Sequence, residues 1–217
     1  MHAATFKDVT CSGATTAEMT KAQGSINPPQ FNALSADTDL VTLTLGGNDI
    51  GFSNIITTCV VDGLSNPTGS PCKADFNSSG SDAVNTRINA ASTKLATTLA
   101  GIRARAPKAR VLVVGYPSLV PDSGESCRPA VPFADGDVPY LRDAEKKLNA
   151  ALETQAKSAG DEYVDTYTFT IGHDMCQTND SERWIEPLDT KLKPAHPNWT
   201  GQVAMFWEVY PKLTGQG

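Results

Sequence analysis

Several features that mark particular classes of protein are missing from this sequence. The five cysteines include no C-x-x-C pair, so there is neither a zinc knuckle nor a thioredoxin-like motif. No apolar run approaches the roughly 18 residues of a membrane-spanning helix, and the N-terminal MHAATFKDVT lacks the basic and apolar regions of a signal peptide. The net charge is −6, and the 18 basic residues form no run longer than two. We therefore expect neither a nucleic-acid surface nor stable membrane insertion.

The cysteines that are present are placed as in an exported, disulfide-bonded protein. Each lies in a stretch rich in Gly, Pro, Ser or Asn, which is where secreted proteins usually carry disulfides. Proximity in the sequence predicts a Cys59–Cys72 bridge and a Cys127–Cys176 bridge. Cys11 is then left over, as a free thiol, as half of an intermolecular bridge, or as the partner of a cysteine outside this chain.

Strand patterns alternate with helix patterns along the chain. Short apolar segments rich in β-branched residues predict strands over residues 6–10, 40–45, 111–114 and 163–169. Apolar residues spaced three and four apart predict helices over 81–105 and 137–159, and a last helix after Asn198. This alternation predicts an α/β fold with a parallel sheet covered on both faces, in one domain over residues 1–217.

The tracts between these elements are predicted to be loops. Residues 63–80 and 117–136 are rich in Gly, Pro and Ser, and each contains cysteine. Loops of this length are uncommon in a compact domain unless they are functional or cross-linked. The two predicted disulfides supply the cross-links.

The residues at the predicted strand ends indicate acyl-transfer chemistry. In a parallel sheet, ligands bind beyond the carboxyl ends of the strands, and there the sequence places CSGATT, GGNDIGF and GYPSLVP. An Asn side-chain N–H and a Gly main-chain N–H that converge are the parts of an oxyanion hole, and Asn48 is the candidate amide. The alternative for Asn48 is a turn residue that caps the following helix. No lysine-bearing phosphate loop occurs, which disfavours a nucleotide-binding flavodoxin-like protein.

His196 is the candidate general base. It lies between Pro194 and Pro197, which hold the backbone extended, and a rigidly presented imidazole suits proton transfer near neutral pH. The alternative is an ordinary surface histidine. His173 lies near Asp174 and Cys176, but a metal site there is disfavoured because a disulfide would use the cysteine. We expect neither a metal nor another cofactor.

Taken in order, TCSGATT, TLTLGGNDIGF, VLVVGYP and PAHPNWTGQ resemble the SGNH hydrolase superfamily, specifically its secreted actinobacterial-type GDSL esterases and lipases. The resemblance covers nearly the whole chain. It implies a flavodoxin-like three-layer α/β/α fold, and it identifies Gly13 and Asn48 as the oxyanion donors and His196 as the base. It also implies a secreted ester hydrolase that uses a Ser-His acyl-enzyme mechanism on a small-molecule or lipid ester.

The nucleophile departs from this family pattern. The family's first block, a strand followed by G-D-S, is expected before CSGA, but neither G-D-S nor G-x-S-x-G occurs in these 217 residues. Ser12, Ser53 and Ser123 do not match the nucleophile position. We therefore expect a truncated fold without its central first strand, inactive alone, with either a complementing N-terminal segment or self-association to cover the gap. The alternative function is a non-catalytic, degenerate hydrolase that binds acyl or glycan ligands.

The acid departs from the pattern as well. Many family members have Asp three residues before the histidine, and this sequence has Lys193 there. Some members use a main-chain carbonyl instead, so the Lys193 carbonyl is the expected partner of His196. Asp189 is the weaker candidate because it lies seven residues upstream. The acyl length and the leaving group are not specified by any residue pattern.

Overall fold

The structure is a computed structural model that describes residues 5–124, 126–190 and 193–214. Its centre is a parallel sheet of β1 (Leu40–Leu43), β2 (Arg110–Val114) and β3 (Glu162–Val164), in the order β1-β2-β3. The three predicted segments that correspond to these strands are confirmed, although β1 ends two residues early and β3 is much shorter than predicted.

Five α-helices accompany the sheet within the described residues: α1 (Phe52–Ser65), α2 (Pro71–Phe76), α3 (Ala83–Arg105), α4 (Val138–Ala159) and α5 (Trp199–Thr214). The predictions of α3, α4 and α5 are confirmed, and local signals account for their ends. The Asp82 side chain caps α3 by accepting from the Asn85 N–H. Gly160 ends α4 in the left-handed region at φ 73°. The Asn198 side chain accepts from the Gly201 N–H in the first turn of α5.

Alternate side chains of β2 point to opposite faces of the sheet, and helices cover both faces, so the fold has three layers. Val111 and Val113 point into the larger core, which contains apolar residues of α3 and α4. Leu112 and Val114 point to the other face, where residues of α5 cover them. The α5 residues in this contact are Met205, Val209 and Leu213. The prediction of a three-layer α/β/α fold with a parallel sheet is thus confirmed.

Two parts of the secondary-structure prediction are wrong. Residues 6–10 form no strand, and Phe6 is 85% exposed. An apolar segment with no neighbouring strand cannot satisfy its backbone groups in a sheet, so local composition alone does not make it a strand. The loop prediction for residues 63–80 is also wrong in part, because α1 continues to Ser65 and α2 occupies Pro71–Phe76.

The disulfide prediction is confirmed. Cys59 of α1 bonds to Cys72 of α2, and Cys127 bonds to Cys176. Cys11 is free, and its sulfur accepts a hydrogen bond from the Asn27 side-chain amide at 3.0 Å. Across the described ranges, no helix has both the length and the apolarity needed to cross a bilayer.

Candidate active site

The segment after β1 turns sharply at two buried glycines and then presents Asn48. Gly46 has φ 116°, a conformation that residues with a Cβ rarely adopt, and the Gly46 carbonyl accepts from the Ile50 N–H at 3.1 Å. The Gly47 N–H donates to the Tyr116 hydroxyl at 2.8 Å. The Asn48 side chain is exposed at the end of this turn, beyond the carboxyl end of the strand.

Gly13 lies in a second loop that contacts Asn48 directly. The Asn48 side-chain amide donates to the Ala14 carbonyl at 2.9 Å. Gly13 has φ 80°, and within the described residues its N–H has no protein acceptor. One Asn48 N–H is used by Ala14, which leaves the second one for a ligand. The structure therefore brings the loops of the two predicted oxyanion donors into contact.

The neighbouring Asp49 joins the loop that carries Asn48 to the loop that carries Gly13. Its side chain is 1% exposed and accepts from the Thr16 N–H at 2.9 Å and from the Thr16 hydroxyl at 2.6 Å. Lys94 of α3 contacts the same carboxylate at 3.3 Å. A carboxylate that receives three donors at a loop junction fixes the separation between the loops. It explains why an acidic residue follows the candidate amide.

A tight turn presents the imidazole of His196. The His196 N–H donates to the Lys193 carbonyl at 3.1 Å, with Pro194 and Ala195 at the centre of the turn. Ala195 has φ 56°, in the left-handed region that favours glycine, and its side chain is buried. The turn pairs with Glu186, whose N–H donates to the His196 carbonyl at 2.8 Å and whose carbonyl accepts from the Ala195 N–H at 3.0 Å. His196 is itself exposed.

The partner of the imidazole differs from the prediction. His196 Nδ1 lies 2.8 Å from the Pro194 carbonyl, so neither the Lys193 carbonyl nor Asp189 orients the ring. The Lys193 carbonyl is engaged by the main-chain N–H of His196, because the turn folds residues 193 and 196 together. A carbonyl only accepts, so Nδ1 carries the proton and Nε2 has the lone pair. This is the tautomer that a general base requires.

The His196 turn is anchored to the loop that follows β3. The Trp184 carbonyl accepts from the Asn198 N–H at 2.8 Å, and the Trp184 N–H donates to the His173 carbonyl at 2.9 Å. The His173 and Trp184 rings stack 3.5 Å apart. The turn is thus bonded to the segment that follows β3 in the chain. Among the described residues, direct contacts join Asn48 to the Gly13 loop, and no contact joins either to the His196 ring.

The three serines lie on the surface, and Cys176 is bonded to another cysteine. Ser12, Ser53 and Ser123 are exposed, and over the part of the chain that is described none bonds to the His196 ring. Cys176 is in a disulfide, and across the same ranges no three His, Cys, Asp or Glu side chains gather as metal ligands. The nucleophile remains a prediction.

Glu145 of α4 is a buried carboxyl group that sequence patterns did not reveal. It lies on the core side of α4, where the helical stripe predicts apolar residues, and one of its oxygens accepts from the Leu119 N–H at 3.1 Å. Burial is the main cause that raises the pKa of Glu145 well above its ordinary value, and the charge of Asp174 adds to this shift. The Leu119 bond and Lys146 oppose this shift only in part.

The raised pKa predicts a pH-dependent loss of stability. The folded protein binds the Glu145 proton more tightly than the unfolded chain does, so this contribution is full below the ordinary pKa and is lost as the pH rises towards the folded pKa. In that window the free energy of unfolding should fall by about 1.4 kcal/mol per pH unit from this group. Urea unfolding between pH 5 and 8 should show a smaller decline for Glu145→Gln. Glu153→Gln, at an exposed ion pair of the same helix, is the control and should retain the wild-type slope; equal slopes for all three proteins would refute the assignment.

Comparison with known proteins identifies similar sequences over almost the whole chain. A sequence profile of the GDSL-like Lipase/Acylhydrolase family matches residues 2–204. Lipase 2 of Streptomyces coelicolor is 45% identical over 207 residues, a match that covers 93% of this chain and 69% of the lipase. An esterase of Streptomyces scabiei is 31% identical over 242 residues, covering 95% of this chain and 70% of the esterase.

Two solved structures have a similar fold. The phospholipase A1 of Streptomyces albidoflavus NA297 superposes with a TM-score of 0.73 at 27% identity, covering 93% of this chain and 77% of that one. The extracellular lipase of Streptomyces rimosus has the same TM-score at 26% identity and the same coverage.

Proposed function

Because the chain belongs to the GDSL-like lipase and acylhydrolase family, we propose that it forms the larger part of a secreted ester hydrolase with a Ser-His mechanism. His196 is the general base, and the N–H groups of Asn48 and Gly13 form the oxyanion hole. The observation that supports this proposal most directly is the 2.9 Å bond from the Asn48 side chain to the carbonyl of Ala14, the residue that follows Gly13.

The proposed chemistry follows from the hydrogen bonds of the site. Nε2 of His196 takes the proton of a serine hydroxyl as its oxygen attacks the ester carbonyl. The negative charge that develops on the carbonyl oxygen is held by the two N–H donors. The tetrahedral intermediate expels the alcohol, which receives the proton from His196, and water then repeats the sequence to release the acid. The Pro194 carbonyl keeps Nδ1 protonated and stabilises the imidazolium, although less than a carboxylate would.

The serine is proposed to come from a complementing segment outside these residues, and the surface beside β1 supports this. β1 pairs with β2 along one edge, and among the described residues its other edge has no strand partner. Thr42 lies opposite Leu112 in the ladder, but Thr42 is exposed whereas Leu112 is buried. A further strand can therefore pair with the free edge of β1 and bring a covering layer over Thr42.

The aromatic flank of α5, defined as Trp199, Phe206 and Tyr210, faces the same edge. The Arg110 side chain at the start of β2 donates to the Lys212 carbonyl at 2.8 Å, so α5 runs antiparallel to the strands. The crossovers between the strands are right-handed, and the stripe of α5 that packs on the sheet is Met205, Val209 and Leu213. In a right-handed helix that runs antiparallel to the strands, the aromatic flank beside this stripe points towards β1. Its side chains are 80%, 46% and 39% exposed. A strand added at β1 would bury part of this apolar surface, which offsets its ordering cost.

The substrate is proposed to be a carboxylic ester of a small molecule or a lipid. The names of the similar proteins, an esterase, lipases and a phospholipase A1, support this class. The two disulfides support export to an oxidising compartment.

Labelling by a fluorophosphonate tests the source of the nucleophile. We expect no labelling of the 217-residue chain, and labelling of the chain extended at its N-terminus by a strand and G-D-S segment from a family member, hereafter the extended enzyme. Prior heat unfolding should abolish the signal, which controls for non-specific reaction. Labelling of the unextended chain at a serine within residues 1–217 would overturn this part of the proposal. Ligand binding without turnover that survives His196→Ala would favour the degenerate binding protein instead.

A further inference from the structure

Tyr116 contacts the loop that carries Asn48 but has no role in the chemistry described above. It follows β2, and its hydroxyl accepts from the Gly47 N–H at 2.8 Å, one residue before Asn48. The contact leaves no room for a Cβ at position 47 unless the tyrosine ring shifts. A Cβ on Gly47 would lie 2.9 Å from the hydroxyl oxygen and 3.1 Å from the ring carbon that bears it.

Tyr116 is itself held firmly by α4. Its N–H donates to the Asn149 side-chain oxygen at 2.8 Å, and its carbonyl accepts from the Asn149 side-chain amide at 2.9 Å. Asn149 is 6% exposed, so these bonds are shielded from water. A continuous series of contacts thus runs from the long helix α4 through Tyr116 to the main chain that carries Asn48.

The environment keeps the hydroxyl neutral. Burial is the main cause that raises the pKa of Tyr116 to about 12, and the charge of Asp49 adds to it. The Gly47 bond opposes the shift. A neutral phenol retains both its acceptor and its donor over the range in which esterases are assayed. The bond to Gly47 therefore persists across that range.

We propose that Tyr116 is a positioning residue that fixes the direction of the Asn48 carboxamide by holding the Gly47 N–H. The proposal rests on the proposed oxyanion role of Asn48. A hydrogen-bond donor stabilises a transition state only if it is aimed before the charge develops, so a looser Gly47 lowers kcat. Substrate binding in the ground state depends little on this donor, so KM is unaffected.

The first test uses the 217-residue chain and needs no activity. In ¹⁵N-labelled protein, Tyr116→Phe should speed amide hydrogen exchange at Gly47 by about tenfold and shift the side-chain NH₂ resonances of Asn48. Tyr140→Phe is the matched control, because it removes a hydroxyl that donates to Asp82 at 3.1 Å, on α4 and away from this loop. It should leave both signals as in the wild type. Signals at Gly47 and Asn48 that respond alike to the two variants would overturn the proposal.

The second test measures turnover of a short-chain aryl ester by the extended enzyme. Tyr116→Phe should lower kcat about tenfold with KM within twofold, and Tyr140→Phe should leave both unchanged. If Tyr116→Phe does not fold, Gly47→Ala displaces the hydroxyl from the other side and should give the same kcat loss. Unchanged kcat in a variant whose Asn48 signals have shifted would overturn the positioning role. An inactive extended enzyme whose NMR signals respond as expected would instead refute the proposed function.

Discussion

Replacing His196 by alanine should lower kcat/KM of the extended enzyme for a short-chain aryl ester by at least about 10³-fold. The expected loss is large because the Ser hydroxyl is a poor nucleophile without a base, and the exposed turn offers no substitute for Nε2. Stability should change little, because the ring makes a single hydrogen bond, to the Pro194 carbonyl. Steady-state kinetics together with thermal unfolding will separate the two effects.

His173→Ala is the matched control for this experiment. His173 is the other described histidine, and its ring stacks on Trp184 and hydrogen-bonds the Glu182 carbonyl through Nδ1 at 2.7 Å. Its loss should lower the melting temperature more than the loss of His196 does, while kcat/KM changes much less. A variant without His196 that retains more than a tenth of the wild-type kcat/KM would exclude this residue as the base.

Replacing Asn48 by alanine should lower kcat of the extended enzyme by about 10²–10³-fold, because one oxyanion donor contributes on the order of 3 kcal/mol. KM should remain close to the wild-type value, since the donor matters mainly once charge has developed. Asn48→Asp should be at least as impaired, because a carboxylate at this position repels the oxyanion.

The control for Asn48 is Asn89→Ala, at an exposed position of α3 whose side chain makes no hydrogen bond within the described residues. It should leave kcat unchanged. Because Asn48 also bonds to Ala14 at 2.9 Å, unfolding of the alanine variant must be measured alongside turnover. A drop in stability with unchanged kcat would assign Asn48 to the turn-residue role that sequence alone also allowed.

The parts of the fold that sequence predicted are those fixed by local chemistry. The helical stripe on α3, with Asp82 before it, and the stripe on α4, ended by Gly160, define long helices without reference to the rest of the chain. The disulfide of Cys59 and Cys72 joins residues only 13 positions apart, so sequence proximity was sufficient. Short motifs singled out Asn48 and Gly13, and the structure brings their loops into contact, while their role as oxyanion donors stays a prediction.

The parts that sequence missed depend on distant neighbours or on turn geometry. Whether residues 6–10 form a strand depends on a neighbouring strand, which no property of the segment itself supplies. The choice of Pro194 as the imidazole partner depends on the positive φ of Ala195, which spacing rules do not reveal. Tyr116 was visible only as one letter of GYP, and its role emerges from a contact 69 residues away in the chain.

The left-handed conformation of Ala195 has a consequence for the precision of the base. A glycine there would relieve a cost of roughly 1 kcal/mol, but it would also let the peptide bonds on either side sample more dihedral angles. Ala195 is only 7% exposed, so its methyl group packs against the surrounding residues and restricts the turn. The protein thus carries a small steric strain at Ala195. In return, the imidazole of His196 has a narrower range of orientations in the free protein.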